Sequence, residues 1–350
     1  MHPDKSHSQR VVIFQDPKTS WIYESHALRG FLTQVFPSSP TLTEKSVLSL
    51  VGKVFIVTGG NAGVGLELVK ILYSKGGTVY VAGRSPIKIA TEIESIKSIH
   101  TATPGHIKSL PLDLSDLATI PICASTFLAQ ESRLEVLSNN AGIAHVPVGS
   151  IRVQGHEAHV GTNCLGPFLL TKLCLLSFSE PRNPRPKPAC VSYSQLLQLS
   201  TWTALQVVSR SPSLPPANHS KDKARNYSVS KAGNWLLASE FDKRTRKDVL
   251  VCVAQNPGNL ATKSWDGVPW AIRMLIKPIM HEPKMGAYTE LWAGFSQDLK
   301  CEDGGMTAVP WGRKDILESL KAKEEGGTVL AAEFWGWCEE QTKEYAGVGI

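Results

Sequence analysis

The chain has 350 residues, is 42% hydrophobic and carries a net charge of +6, which suits one large globular domain or two small ones. The basic residues are scattered except for PRNPRPKP at 181–188, and such a run is more typical of a solvated loop than of a nucleic-acid-binding surface. The polar start MHPDKSHSQR lacks the apolar core of a secretory signal, so we expect no nucleic-acid partner and no secretory leader.

Two further features bear on where the protein works. The seven cysteines are widely spaced and form no CxxC pair, which predicts free thiols and a reducing, cytoplasmic location. The apolar stretch GVPWAIRMLIKPIM at 267–280 contains Arg273 and Lys277 and is too short for a transmembrane segment. It is interpreted as a buried or lid-forming helix, with contact to a membrane surface as the alternative.

Residues 1–50 are interpreted as an N-terminal arm, and residues 51–350 as one domain with a substrate lid near 263–300. From residue 53 onward, short runs rich in valine and isoleucine alternate with helix-length segments. The predicted strands are KVFIVTGG, TVYVAGR, HIKSLPLD, LEVLSNN, ACVSYS and LVCVAQN. The helices between them include LELVKILYSKG, PIKIATEIESIKS, a long helix over about 155–177 and one around Tyr227. This alternation predicts an α/β fold with a doubly wound, mostly parallel sheet and helices on both faces.

The first strand runs into TGGNAGVG at 58–65, directly before the first helix. A glycine-rich turn from a strand into a helix lets backbone N–H groups and the helix N-terminus approach a pyrophosphate. The sequence therefore predicts a dinucleotide site here, although a flexible turn would show the same glycines. Its expected cofactor-binding residues are Thr58, Gly59, Asn61, Gly63, Val64 and Gly65.

The spacing G-x-x-x-G-x-G resembles the TGxxxGxG motif of the short-chain dehydrogenase/reductase family. Three further motifs of that family follow in the same order: NNAG at 139–142, Tyr227 with Lys231 as YxxxK, and NPGNLAT at 256–262. The resemblance covers about residues 50–300 and implies a single Rossmann-type domain. The segments VPWGR at 309–313 and FWGWCEEQ at 334–341 resemble fungal members, many from secondary metabolism, that are similar to retinol-dehydrogenase-like reductases.

The end of the second strand predicts which nicotinamide cofactor is used. An acidic residue there hydrogen-bonds the ribose of NAD, whereas arginine accommodates the additional phosphate of NADP. This strand ends in Gly83 and Arg84, and Lys88 adds a second positive charge, so we expect NADP(H). Asp113 matches the family position that meets the adenine ring and also suits a helix N-cap. The resemblance further assigns Asn140, Leu260 and Thr262 to the cofactor.

Tyr227 and Lys231 are the candidate reacting pair because residues four apart share one helix face. A carbonyl that accepts hydride must also receive a proton, and a neighbouring lysine favours the phenolate that remains on the tyrosine. The resemblance implies that Lys231 also contacts the nicotinamide ribose and that Asn163 holds a water in the proton path. An exposed helix turn would be the alternative for an isolated pair.

The position of the active-site serine departs most from the family pattern. The family ends its fifth strand with two serines, the second of which polarises the substrate carbonyl. Here the strand reads CVSYSQLLQ, so a regular strand puts Tyr193 at that position, a bulge would bring Ser194 there, and Ser192 is the third candidate.

The leading hypothesis is an NADP(H)-dependent oxidoreductase, a monomer or homodimer, that interconverts a carbonyl and a secondary alcohol on a lipophilic small molecule. Trp265, Trp270, Met274 and Leu275 suggest a roomy apolar pocket, and ordinary core packing is the alternative for them. The irregular CVSYS strand motivates a second hypothesis, a catalytically impaired NADP-binding protein with a regulatory or partner-binding role. A nucleotide-sugar epimerase fits the glycine spacing and NNAG less well.

Overall fold

A computed structural model describes residues 34–178, 189–194, 221–245, 250–262, 270–315 and 330–347. These residues form an eight-stranded sheet in the order β3-β2-β1-β4-β5-β6-β7-β8. Seven strands are parallel to their neighbours, and β8 is antiparallel to β7. The strands are β1 (Val54–Thr58), β2 (Thr78–Gly83), β3 (His106–Pro111), β4 (Val136–Asn139), β5 (Ala189–Ser194), β6 (Leu250–Gln255), β7 (Thr307–Val309) and β8 (Arg313–Asp315).

Helices cover both faces of the sheet, which confirms the predicted doubly wound α/β fold. One face carries α1 (Gly63–Ser74), α2 (Pro86–Ile99) and α8 (Pro283–Phe295). The other face carries α3 (Ile120–Leu128), α5 (Gly166–Phe178), α6 (Lys223–Thr245) and α9 (Leu330–Ala346). Two short helices complete the described set, α4 (Ala158–Val160) and α7 (Trp270–Ile276), and a π-helix over Gly161–Leu165 joins α4 to α5.

Local sequence explains these elements. All five residues of β1, VFIVT, are buried, as expected of a parallel strand that is covered on both faces. Ser85 caps α2 by accepting a hydrogen bond from the Lys88 backbone N–H at 3.4 Å, and Pro86 occupies the first turn. Gly76 follows α1 with φ +90°, a left-handed conformation that glycine adopts without steric cost and that turns the chain toward β2.

The described part of the N-terminal arm, residues 34–50, packs against the sheet's last strands and α8. Gln34 Oε1 accepts a hydrogen bond from Asn256 Nδ2 at 2.6 Å. Glu44 accepts hydrogen bonds from Lys284 Nζ at 2.9 Å and from the Tyr288 hydroxyl at 2.6 Å. Burial opposes ionisation of Glu44, but these two donors outweigh it and lower its pKa to about 2. The arm is thereby fixed to α8.

The predicted lid region contains two different structures. Helix α7 exposes Trp270, Met274 and Leu275 to 78%, 59% and 80%, so these three side chains are neither core nor pocket lining here. Helix α8 instead buries Ala287 and Leu291 completely against the sheet. Residues 263–269, with Trp265, lie outside the described ranges.

The seven cysteines are free, as predicted, and all but Cys301 are buried. Within the described ranges, helices long and apolar enough to cross a membrane are absent.

Candidate active site

A cleft of about 760 Å³ opens where the strands β1, β2, β4 and β6 end. In parallel sheets, ligands bind outside these carboxyl ends, where the strand order reverses. Most of the predicted cofactor residues line this cleft, namely Thr58, Gly59, Asn61, Gly63, Val64, Arg84, Asp113, Asn140, Leu260 and Thr262, together with Tyr227 and Lys231.

The glycine turn after β1 forms one wall of the cleft. Gly59 and Gly63 have φ of +67° and +55°, which favours glycine. A Cβ atom on Gly65 would lie 2.5 Å from Asn140 Nδ2 and 2.8 Å from the Gly59 carbonyl oxygen, so only glycine fits. Ala62 precedes α1 without a side-chain cap, and the first turn contains no acidic residue. The N–H groups of that turn are therefore available to an anion, and the residues present fit a pyrophosphate.

Thr58 and Asn140 connect the first turn to the loop after β4. The Thr58 hydroxyl accepts a hydrogen bond from the Ala141 backbone N–H at 2.9 Å and donates one to the Ser138 carbonyl at 3.2 Å. Asn140 Nδ2 donates to the Thr58 carbonyl at 2.8 Å. These bonds hold NNAG beside the glycine turn.

Of the two cations predicted to select NADP(H), one lines the cleft. Arg84 is exposed and lines the cleft, whereas Lys88 lies in the first turn of α2 and is not among the lining residues. Asp113 also lines the cleft, and its Oδ1 accepts hydrogen bonds from the Ser115 N–H at 2.9 Å and the Ser115 hydroxyl at 2.6 Å. A 3₁₀ helix follows at Leu117–Thr119, and its N-cap is Asp116, not Asp113 as the sequence had suggested.

Tyr227 and Lys231 lie one turn apart on α6 and face the same cleft. Lys231 Nζ is 5.7 Å from the centre of the Tyr227 ring. Burial lowers the pKa of Lys231 to about 8 and raises the pKa of Tyr227. The phenol of the cofactor-free protein is therefore protonated at neutral pH and available as a proton donor.

Asn163 lies in the π-helix and links it by hydrogen bonds to the loop after β4 and to α6. Its Oδ1 accepts from the Ile143 N–H at 2.8 Å, and its Nδ2 donates to the Ile143 carbonyl at 3.1 Å and to the Ser230 hydroxyl at 2.9 Å. The Ser230 hydroxyl in turn donates to the Tyr227 carbonyl at 2.7 Å. Sequence reasoning missed Ser230, whose place between Tyr227 and Lys231 in YSVSK was the available signal.

The structure separates the three hydroxyl candidates of β5. The pairing of β5 with β6 continues without a break from Ala189 to Ser194, so the described strand contains no bulge. Tyr193 is fully buried on the α5 and α6 side, where its hydroxyl donates to Thr171 Oγ1 at 2.8 Å and its ring stacks on Phe241. Tyr193 therefore does not line the cleft.

Ser192 is 1% exposed, and its Oγ has no hydrogen-bond partner among the described residues. It lies beside Ser138 in the strand pairing, away from the face that carries Tyr193. The side chain of Ser194 lies outside the described part of the structure.

The loop after β6 closes the cleft near the glycine turn. Leu260 is buried and forms a β-bridge with His281, which places Thr262 at the cleft wall. On the loop after β4, Ile143, Ala144 and His145 also line the cleft, and the sequence had not singled them out. His145 has φ +54°, an uncommon conformation for a residue other than glycine.

Comparison with known proteins fits this arrangement. A family model described as short chain dehydrogenase matches residues 53–184. The "Short-chain dehydrogenase/reductase iacJ" of Pestalotiopsis fici is 41% identical over 318 residues, which cover 89% of this chain and 97% of the relative. The chain belongs to the short-chain dehydrogenase/reductase family. This membership confirms the resemblance drawn from the motifs and makes the protein one of a family of oxidoreductases that use NAD or NADP.

Other members extend the comparison. A "Short-chain dehydrogenase/reductase" of Phomopsis amygdali is 38% identical, with 91% of this chain and 98% of the relative covered. An uncharacterised protein from Mycobacterium paratuberculosis is a similar solved structure, with a TM-score of 0.59, 26% identity and coverage of 87% and 98%. An NADPH-bound carbonyl reductase from chicken fatty liver has a TM-score of 0.56 at 20% identity, with 77% and 100% covered, and shows the shared fold.

Proposed function

We propose that this protein is an NADP(H)-dependent oxidoreductase that interconverts a carbonyl and a secondary alcohol on a lipophilic small molecule. The observation that carries the proposal is that Tyr227 and Lys231 line the same cleft as the glycine turn. A proton donor and a cation are thus placed in the cavity that has the features of a dinucleotide site.

In the proposed reduction, the cofactor supplies the hydride and the protein supplies the proton. NADPH, when bound, supplies the hydride that attacks the carbonyl carbon. The Tyr227 hydroxyl gives its proton to the carbonyl oxygen, and the Lys231 ammonium stabilises the phenolate that remains. Asn163 holds the loop after β4 and, through Ser230, the backbone of Tyr227. Ser192 and Tyr193 are buried and do not line the cleft, so we assign the hydroxyl that polarises the substrate carbonyl to Ser194, the remaining candidate.

The preference for NADP(H) is supported by charge at the end of β2. Arg84 is exposed and lines the cleft, and Gly83 leaves no acidic group that would repel a phosphate. Arg84 is expected to bind the additional phosphate of NADP(H), and Asp113 is expected to contact the adenine ring.

The lipophilic substrate is supported by the apolar character of the cleft wall and of α7. Ile143 and Ala144 line the cleft beyond Gly142. Helix α7 follows the cleft residue Thr262 in the chain and presents Trp270, Met274 and Leu275 to solvent. We propose that this exposed apolar helix covers a bound apolar substrate, and the fungal origin of the relatives iacJ and bet4 agrees with a role in secondary metabolism.

Purified protein assayed with NADPH against a panel of lipophilic ketones tests the proposal. We expect turnover that Tyr227→Phe lowers by about 10²- to 10⁴-fold, the range for loss of general acid catalysis. Tyr345→Phe, the same exchange on α9, is the matched control and should leave turnover unchanged. Cofactor binding without turnover, unaffected by Tyr227→Phe, would instead support the catalytically impaired protein with a regulatory role.

A further inference from the structure

A buried imidazole, His159, lies beside Tyr227 at the start of the helical segment that carries Asn163, and a largely buried carboxylate, Glu157, is paired with it. Glu157 and His159 are separated by one residue in the sequence HEAH at 156–159. The side chain of Glu157 is 13% exposed and that of His159 is 1% exposed. Neither belongs to the reacting groups of the proposed function, so the contact of His159 with Tyr227 and its pairing with Glu157 require their own explanation.

Glu157 uses both carboxylate oxygens to hold this segment. Its Oε2 accepts a hydrogen bond from the Val160 backbone N–H at 2.9 Å and so caps α4. Its Oε1 lies 2.8 Å from Nδ1 of His159. Burial alone raises the pKa of Glu157, but the bonds with His159 and Val160 outweigh it and bring the pKa below the usual range.

The ionised Glu157 fixes the orientation of the imidazole. A carboxylate only accepts hydrogen bonds, so Nδ1 of His159 carries the proton and donates it. The other nitrogen, Nε2, is buried and has no hydrogen-bond partner in the described ranges. Within those ranges, Glu157 is therefore the polar contact that fixes this ring.

The fixed imidazole meets the ring of Tyr227. The two ring centres are 5.8 Å apart at an interplanar angle of 61°, an edge-to-face contact. Asn163, one turn further along the same helical segment, reaches the backbone of Tyr227 through Ser230. One helical segment thus contacts the ring of Tyr227 directly and is linked to its carbonyl through Ser230.

We propose that His159, anchored by Glu157, is a positioning residue that fixes the plane of the Tyr227 phenol and keeps its hydroxyl aimed into the cleft. This inference rests on the proposed function, because it assumes that Tyr227 donates the proton. A phenol that is free to tilt spends less time aligned with the substrate oxygen, and a misplacement of about 1 Å can cost about 10²-fold in rate.

Two variants distinguish the hydrogen bond that anchors His159 to Glu157 from the contact between the rings of His159 and Tyr227. His159→Phe keeps an aromatic edge but has no nitrogen for Glu157, and we expect kcat to fall about 10-fold or more with the KM for NADPH little changed. The solvent deuterium isotope effect on kcat should increase, because proton transfer becomes slower relative to the other steps. Glu157→Gln keeps an acceptor for Val160 and can still hydrogen-bond the imidazole, so its kcat should stay within about 3-fold of the original.

His156→Phe is the matched control. His156 packs edge-to-face on Trp337 of α9, with ring centres 6.0 Å apart, so the same exchange there should change neither kcat nor the isotope effect. If His159→Phe does not fold, as judged by its melting temperature, His159→Gln removes the ring yet retains an N–H donor for Glu157, and it should show the same loss of kcat.

The outcomes distinguish this inference from the proposed function. Loss of turnover in Tyr227→Phe with full kcat and an unchanged isotope effect in His159→Phe or His159→Gln would overturn the positioning role alone. Full turnover in Tyr227→Phe would overturn the proposed function itself. Loss of kcat in His159→Phe with retention in Glu157→Gln and His156→Phe supports the role assigned here.

Discussion

Lys231 Nζ lies 5.7 Å from the centre of the Tyr227 ring while Lys231 is only 4% exposed. Burial lowers the pKa of this lysine from 10.5 to about 8. Above about pH 8, the unfolded chain therefore binds more protons at Lys231 than the folded protein does. By linkage, the free energy of unfolding then rises with pH up to the unfolded pKa.

Replacement of Lys231 by methionine tests this coupling. Lys231→Met keeps an unbranched side chain but removes the titrating group. We expect the free energy of unfolding of the variant, minus that of the original protein, to fall as pH rises from about 8 to about 10. Urea denaturation of the cofactor-free proteins across this range measures the difference. A difference that is independent of pH would contradict the lowered pKa.

Glu290 is a second buried titratable group, and its effect on the pH dependence of stability has the opposite sign to that of Lys231. Its Oε2 accepts a 2.5 Å hydrogen bond from the Ser138 hydroxyl, and it is 3% exposed. Burial raises its pKa to about 7, so the folded protein binds more protons than the unfolded chain between about pH 4.5 and 7, and stability falls as pH rises there.

We expect Glu290→Gln to become more stable relative to the original protein as pH rises from about 5 to about 8, by about 1–3 kcal/mol. The glutamine keeps an acceptor for Ser138 and does not ionise. Denaturant titrations at the two ends of this range measure the effect. Glu333→Gln on the exposed side of α9 is the control and should show little dependence on pH.

Gly65→Ala should disrupt the glycine turn that we propose holds the pyrophosphate of the cofactor. The added Cβ would lie 2.5 Å from Asn140 Nδ2, so the bond of Asn140 to Thr58 must break or the turn must move. We expect the Kd for NADPH, measured by fluorescence titration, to rise at least about 10-fold. Gly336→Ala in α9 meets nothing within 4 Å and should leave Kd unchanged. Equal affinity of both variants would show that this turn does not hold the cofactor.

Arg84→Ala should reduce discrimination between the two nicotinamide cofactors. Loss of one charge-assisted contact with a phosphate is worth about 1.5–3 kcal/mol, so the ratio of kcat/KM for NADPH to that for NADH should fall about 10-fold or more. Lys88→Ala removes the other predicted cation, which lies outside the cleft lining, and should change the ratio less. Similar kcat/KM values for NADH and NADPH in the original protein would refute the preference.

Much of the sheet was predictable because its strands are locally distinct. Runs such as VFIVT and LVCVAQ are buried throughout and apolar up to their last residue, which is the composition typical of buried parallel strands. The strands β7 and β8 were not predicted, since three residues each are too few to show a pattern. Their place at the sheet edge depends on pairing with β6, a contact between distant parts of the chain.

The site was predictable where a motif fixes spacing within one element. Tyr227 and Lys231 are one turn apart on α6, and the glycines of 59–65 lie in the turn after β1 and in the first residues of α1. The partners that arrive from other elements were not predictable in this way. The contact of His159 with Tyr227, and that of Glu290 with Ser138, join residues 68 and 152 positions apart, respectively, and HEAH and YTELW carry no local sign of either.

The π-helix at Gly161–Leu165 has a consequence for engineering the site. It lies between His159 and the helix α5 and contains Asn163. Each residue of an α-helix rotates the chain by about 100°. Deleting one residue here to restore regular α-helical turns would therefore change the angle between the directions in which the side chains of His159 and Asn163 project. The number of residues in this segment therefore sets the relative directions of these side chains, and we expect a deletion here to lower activity even though Tyr227 and Lys231 remain in the sequence.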